Sequence, residues 1–201
     1  MPILGRAFRL VSAPILRHFT SPKYAGLLEY GSNYGGAYLL RRGLFMPWEL
    51  PQVLDGEMAR EGWRELQPLV RLQETIHNIS ADHLRVSALE MSWYMRNQLL
   101  RDADWAGMAH SLEIRVPLVD LELLRAVTPL LGSSAPPTKQ DMARSPANPL
   151  PNEVLYRRKT GFTVPVREWL LQGGAGRNPA HRERGLRGWA RTVYSSHTSH
   201  T

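Results

Sequence analysis

Apolar residues along this chain recur mainly at spacings of three and four, and that spacing predicts helix almost throughout. A first amphipathic helix is expected from Gly5 to Phe19. In "SPKYAGLLEY", Ser21 is placed as an N-cap, with Pro22 at the first helical position. "GSNYGGAYLLRRGLF" turns at its glycines and then carries Tyr38, Leu39, Leu40, Leu44 and Phe45. After the proline-bounded connector "MPWELPQVLD", Asp55 can cap a helix holding Met58, Ala59, Trp63, Leu66 and Val70. The strongest signal starts at Ser80. Val86, Leu89, Trp93, Arg96 and Leu100 follow the helical spacing, and Tyr94, Met95 and Leu99 widen the apolar face, which predicts a helix packed on several sides. "RDAD" predicts a break, with Asp102 or Asp104 capping a second helix through Leu112. Pro117 ends that helix, and Asp120 caps the next, with Leu121, Leu124 and Val127 on its apolar side. Short helices are expected at "KQDMAR", after Pro151 and around Leu186 to Tyr194. No run alternates with period two for more than a few residues, so the fold class is mainly α with little sheet.

Composition narrows this picture. A chain of 201 residues with 43% hydrophobic and 21% charged residues can bury a core. No apolar run approaches the roughly 18 to 20 residues of a membrane-spanning helix, so no membrane association is expected. There is no cysteine. That excludes disulfides, thiolate metal sites and a cysteine nucleophile, and fits a reducing cytoplasm. The net charge is +7, and the stretch from Gln172 to Thr201, with five Arg and one Glu, carries +4 of it (5 − 1). The basic character is therefore largely a property of that stretch, and nucleic acid is not an expected partner. The seven histidines show no metal-ligand spacing. The organisation expected is a helical region over residues 1–171, followed by a poorly ordered Gly/Arg-rich linker and basic tail over 172–201.

Few residues suggest chemistry by themselves. Asp102 and Asp104, two apart, cannot face each other on a helix and read as caps. Glu113 and Arg115 straddle Ile114, and in an extended segment they point the same way and can pair. "YRRKTGFTVPVREWL" is the most suggestive stretch. Lys159 sits in a turn with Gly161, which permits tight bending or close approach of a ligand, and Phe162 and Trp169 can anchor its base. The residues alone allow a phosphate contact or a solvated turn.

"LLRDADWAGMAHSLEIRVPLVD", "TKQDMAR" and "LPNEVLYRRKTGFTVPVREWL" occur in that order, and together they resemble the C-terminal part of the glutamine-hydrolysing asparagine synthetase family. Asp104, Met108, Ala109, His110, Leu112, Glu113, Arg115, Val116, Pro117 and Asp120 match the first family block, Lys139 the second, and Leu150, Pro151, Arg158, Lys159, Gly161, Phe162, Pro165 and Trp169 the third. The departures are Gly107 for the usual Ser, Ser111 for the usual Gly, Leu118 for Phe and Val119 for Leu.

The resemblance implies the helical C-terminal portion of an α/β adenine-nucleotide synthetase domain of the PP-loop type. It also implies an activity: ATP adenylates the aspartate side chain with Mg²⁺ present, and ammonia from glutamine then displaces AMP. By resemblance, Lys159 reaches the phosphates, Gly161 shapes its loop, and Asp104, Glu113, Arg115, Lys139 and Arg158 organise the surroundings. The family's Ser-Gly-Gly-x-Asp-Ser loop, its Glu-Gly-x-Asp-Glu segment and its glutaminase cysteine do not occur in these residues. The expectation is therefore a chain inactive alone, needing upstream synthetase and glutaminase portions or a complementary subunit. A fragment, a truncated gene and a split subunit all fit. Two alternatives remain: a non-catalytic helical interaction module, and a related amide-forming enzyme acting on another carboxylate. Apolar faces wide enough to have packed on a missing sheet predict self-association.

Overall fold

In a computed structural model, residues 2–19, 21–158, 160, 165 and 186–198 are described. They are mainly helical, and no strand occurs among them. The chain divides into two units, Met1–His77 with Val164–Thr201, and Asn78–Thr163.

The first unit begins with α1 (Pro2–Phe19), which packs on a 3₁₀ turn (Pro22–Gly26) and on α2 (Leu27–Tyr30). Pro22 does open that turn, but the Ser21 side chain makes no capping bond. α3 (Tyr34–Arg42) is capped by the Asn33 side chain, which accepts from the Gly36 amide at 2.8 Å, and it packs against α2 and α5. Asp55 caps α4 (Gly56–Leu66) as expected, accepting from the amides of Glu57 and Met58. The single helix read through Val70 is in fact two. Gln67 takes a left-handed φ of 42°, and Pro68 begins α5 (Pro68–Ile76). A proline has no N–H to continue the ladder and drives its predecessor out of the helical region. Ala25, Tyr38, Leu40, Met46, Ala59, Leu72 and Ile76 form the buried core of this unit.

The C-terminal helix α11 (Arg187–Thr198), close to the one expected at Leu186–Tyr194, is held to this unit by a buried charge pair. Arg187 Nη2 donates to Glu49 Oε1 at 2.5 Å, and its Nη1 donates to the Leu44 carbonyl at 2.7 Å. The guanidinium lies 4.4 Å from the Phe45 ring centroid, and the Arg191 guanidinium stands 5.2 Å from the same ring. Arg191 also donates to the Gln52 carbonyl. Two cations counted with the basic tail are therefore engaged with protein groups. Lys23 donates to the carbonyls of Arg41 and Gly43. Burial first, then the nearby Arg41 and Arg187, hold its ammonium below the ordinary lysine range, and Glu49 partly offsets this.

In the second unit, one helix runs unbroken from Asp82 to Met108. Its α-helical ends, α6 (Asp82–Leu89) and α7 (Arg101–Met108), flank a π-type stretch at Glu90–Leu100. The break read at "RDAD" is absent: Leu100 and Arg101 both have right-handed helical dihedrals. The packing on several sides is only partial among the described residues, with Met91 to Met95 half-buried. Leu89 is buried, but no residue of Glu90–Leu100 is. A π-type i→i+5 winding rotates side chains away from the faces that a 3.6-residue period assigns. Among the described residues, the remaining helices of this unit are α8 (Leu121–Leu131), α9 (Lys139–Arg144) and α10 (Asn152–Leu155), none of which contains a buried residue. His83 Nε2 meets the Leu131 carbonyl at 2.7 Å and ties the end of α8 to α6.

Candidate functional site

The described site residues Asp104, Glu113, Arg115, Lys139 and Arg158 lie in the second unit, and their local geometry starts at the end of α7. The Leu112 amide donates to the Gly107 carbonyl at 2.9 Å and the Ser111 amide to the Met108 carbonyl at 3.0 Å. With Ser111 at φ 55°, these bonds form a Schellman C-cap. The motif satisfies carbonyls left over at the helix end and reverses the chain. It also brings Ile114 onto Gly107, where an added Cβ would lie 2.6 Å from the Leu112 carbonyl oxygen and 3.1 Å from Ile114 Cδ1. The glycine is thus needed for close approach.

Ile114 separates Glu113 from Arg115, and these two close on each other as their spacing predicts. Arg115 Nε donates to Glu113 Oε1 at 3.1 Å and Nη2 to Oε2 at 3.3 Å. The fork is bidentate but exposed, with 81% and 70% of the Arg115 and Glu113 side chains accessible, so its direct contribution to stability is at most about 1 kcal/mol. What it does is orient two opposite charges beside the Pro117 turn. Asp120 then caps α8, accepting from the Leu123 amide at 2.7 Å.

The second and third motifs are joined by a contact that sequence spacing does not reveal. Arg144, at the end of α9, donates to the Tyr156 hydroxyl and lies 5.8 Å from its ring centroid. Tyr156 follows α10 and stands two residues before Arg158, so the contact holds the chain just after that helix. α9 itself starts with a capping box. The Thr138 hydroxyl and amide both donate to Asp141, and the Asp141 amide donates back to Thr138 Oγ1. These hydrogen bonds hold the Asp141 carboxyl below the usual carboxylate range.

Lys139, the first residue of α9, and Arg158 are exposed, as is Asp104 on α7. Among the described residues, no hydrogen bond or ion pair connects these three to the Glu113–Arg115 fork. Lys159 and Gly161 lie outside the described residues, as do Phe162 and Trp169. Among the described residues, no three acidic or histidine side chains cluster as an all-protein metal site does. No helix among the described residues is long and apolar enough to cross a membrane.

Comparison with known proteins places these motifs. The asparagine synthase family model matches residues 24–187. A Mycobacterium bovis protein, provisionally named as a glutamine-hydrolyzing asparagine synthetase, is 38% identical over 93 residues, which cover 44% of this chain and 14% of that protein. Bacillus subtilis asparagine synthetase (glutamine-hydrolyzing) 1 is 32% identical over 93 residues, covering 45% of this chain and 15% of its own length. The matched stretch is thus about one-seventh of these curated relatives. No solved structure matches the chain.

Proposed function

The chain belongs to the asparagine synthase family, and from that premise we propose that it supplies the helical, Lys159-bearing part of a glutamine-dependent asparagine synthetase. The observation that carries the reading is the ordered run of three motifs inside the matched region, from Asp104 through the Glu113–Arg115 fork to Arg158 and Lys159. The reaction has two steps. An aspartate carboxylate oxygen attacks the α-phosphorus of ATP and pyrophosphate leaves. Ammonia then attacks the acyl carbon, and AMP leaves as the amide forms.

Negative charge accumulates on the polyphosphate in the first step, and a cation already in place stabilises it. Lys159 carries that role: one ammonium at about 4 Å from a phosphate is worth up to ~4 kcal/mol at an effective dielectric near 20. Gly161 lets its segment approach the nucleotide. The Glu113–Arg115 fork and the Arg144–Tyr156 contact position the segments on either side, and neither touches the reacting atoms in this reading. Mg²⁺, when bound, would neutralise phosphate charge, and this reading assigns its ligands to other polypeptide together with the Ser-Gly-Gly loop and the glutaminase cysteine, which do not occur in these 201 residues.

The test is aspartate-dependent pyrophosphate release with ATP and ammonia. The chain alone should give none. Combined with a polypeptide carrying the nucleotide loop it should turn over, and Lys159→Ala should lower the rate at least a hundredfold. Robust turnover by the chain alone would overturn the proposal of incompleteness. Turnover that requires a different acid in place of aspartate would move the reading to another amide-forming synthetase.

A further inference from the structure

In the first unit, helix α1 and the segment around Trp48 line a cavity of about 580 Å³, a size within the ~300–1,000 Å³ of small-molecule sites. Its wall is apolar at Leu10, Ala13, Pro14, Pro22 and Trp48. The indole is fixed in place. It packs on Gly26, where an added Cβ would stand 2.4 Å from Trp48 Cη2, and its ring centroid lies 5.6 Å from that of Tyr30. Pro14 and Pro22 have no N–H to donate, so a ligand body rich in carbonyls would lose its hydrogen bonds to water without replacement. The wall suits an apolar body.

The charged groups of the lining differ in how far they are already engaged. Glu49 and Arg187, both buried, are committed to each other, and Glu49 Oε2 also accepts from the Met46 amide at 2.9 Å. Arg9 is different. Its Nε donates to Glu29 Oε2 at 2.9 Å, its guanidinium lies 4.3 Å from the Trp48 ring centroid, and 16% of the side chain is accessible. Neither of its Nη groups makes a hydrogen bond among the described residues. The ion pair and the ring hold the planar fork still, and the two parallel N–H groups of its Nη edge match a carboxylate. Glu29 does not fully cancel the charge on Arg9, because Arg6 shares the same carboxyl at 3.6 Å. Arg9, Arg187 and Glu49 give the lining a net charge of +1 (2 − 1). Positive charge also prevails nearby: after burial itself, Arg41 and Arg187 each depress the Lys23 ammonium more than Glu49 raises it. One negative charge on a ligand balances the lining, and a second would be set beside the Glu49 carboxylate.

We propose that this cavity binds a small organic acid with one carboxylate and an apolar body, the carboxylate on the Nη edge of Arg9 and the body against Ala13, Pro22 and Trp48. Gln52 adds an uncharged amide to the lining and leaves the charge balance as it is. Aspartate, with two carboxylates and an ammonium, has too little apolar surface for this wall, and a nucleotide carries too many negative charges. The proposal does not depend on the functional reading: α1 precedes the family match, which begins at residue 24.

Titration calorimetry of the full chain with hydrocinnamate, a phenyl ring on a short carboxylic acid, tests this, with hydrocinnamyl alcohol, acetate and phenyl phosphate as comparisons. Saturable binding of hydrocinnamate is expected, together with a shift of the Trp48 indole N–H resonance. The alcohol lacks the charge and acetate lacks the body, so each should bind at least tenfold more weakly. Arg9→Gln should weaken hydrocinnamate binding at least tenfold as well. Ala13→Leu leaves every charge in place but fills the apolar wall, and should have the same effect. The ligand comparisons use the unchanged chain, so they decide the matter even where a variant loosens α1. No binding of hydrocinnamate at about 10 mM would overturn the proposal. So would binding that survives Ala13→Leu, equal binding of the alcohol, or tighter binding of phenyl phosphate, which would mark a phosphate site instead.

Discussion

Position 111 holds a serine in a conformation that suits glycine. At φ 55° the Cβ crowds the backbone, which costs an L-residue roughly 1 kcal/mol. The family pattern has glycine there and serine at position 107, and this chain reverses the two. Ser111→Gly should therefore stabilise the second unit by about 1 kcal/mol, read as a higher denaturant midpoint at unchanged slope. The reverse change, Gly107→Ser, should destabilise, because its Cβ would meet the Leu112 carbonyl oxygen at 2.6 Å. The double variant should regain only the roughly 1 kcal/mol that Ser111→Gly gives by itself, since the clash at 107 does not involve the side chain of 111 and the two effects add. A different residue-scale cost applies at Glu49, 4% exposed and paired with Arg187. Glu49→Gln leaves a buried guanidinium without its counter-charge and should cost about 3 to 5 kcal/mol, measured by thermal or urea unfolding. Arg191→Met removes a more exposed contact and should cost clearly less.

Helix starts are where acid should act first. Burial plays little part at Asp55 and Asp141. Amides of Met58 and Glu57 hold the Asp55 carboxyl below its usual range, and Thr138 does the same for Asp141. A carboxyl whose folded-state pKa is depressed contributes stability above its unfolded value, and the contribution is lost as pH falls through the folded value. The first turns of α4 and α9 should therefore fray below about pH 4, seen as faster exchange of the Met58 and Asp141 amides. Asp55→Ala should abolish that pH dependence at α4 and leave α9 unchanged.

Caps such as Asp55 and Asp120 were legible in the sequence because their signal is local: an acceptor just before an apolar run. The continuity of Asp82–Met108 was not legible, since nothing in the residue pattern distinguishes an i→i+5 winding from an α-helix with a break. Gln67–Pro68 carried its signal in the proline, overridden by a periodicity that ran across it. At the candidate site, the Glu113–Arg115 fork followed from spacing alone. The Schellman turn was hidden by its serine, and Arg144–Tyr156 joins residues 12 apart on separate elements, a distance at which no local pattern speaks.

The two units differ in what holds each together. The first buries Tyr38, Leu40, Met46, Leu72 and Ile76 and adds a charge pair across 138 residues of sequence. In the second, Leu89 and Gly107 are buried, while Leu118, Leu121, Leu123, Leu124 and Leu130 are 37% to 66% exposed. At about 25 cal/mol per Å² of apolar surface, a helix that buries so little gains little from its tertiary contacts, and an isolated helix of 11 residues is marginal in water. Local opening of α8 should therefore need much less free energy than opening of α3 or α5. Native-state hydrogen exchange of the purified chain reads this directly: α3 and α5 amides should exchange near the global limit of the first unit, and α8 amides well below it. In the presence of a polypeptide carrying the nucleotide loop, α8 protection should rise, because the apolar residues of that helix then have a surface to cover them. If α8 is instead as protected as α5 in the chain alone, its apolar face is already covered, and the synthetase reading loses its structural reason for requiring a second part.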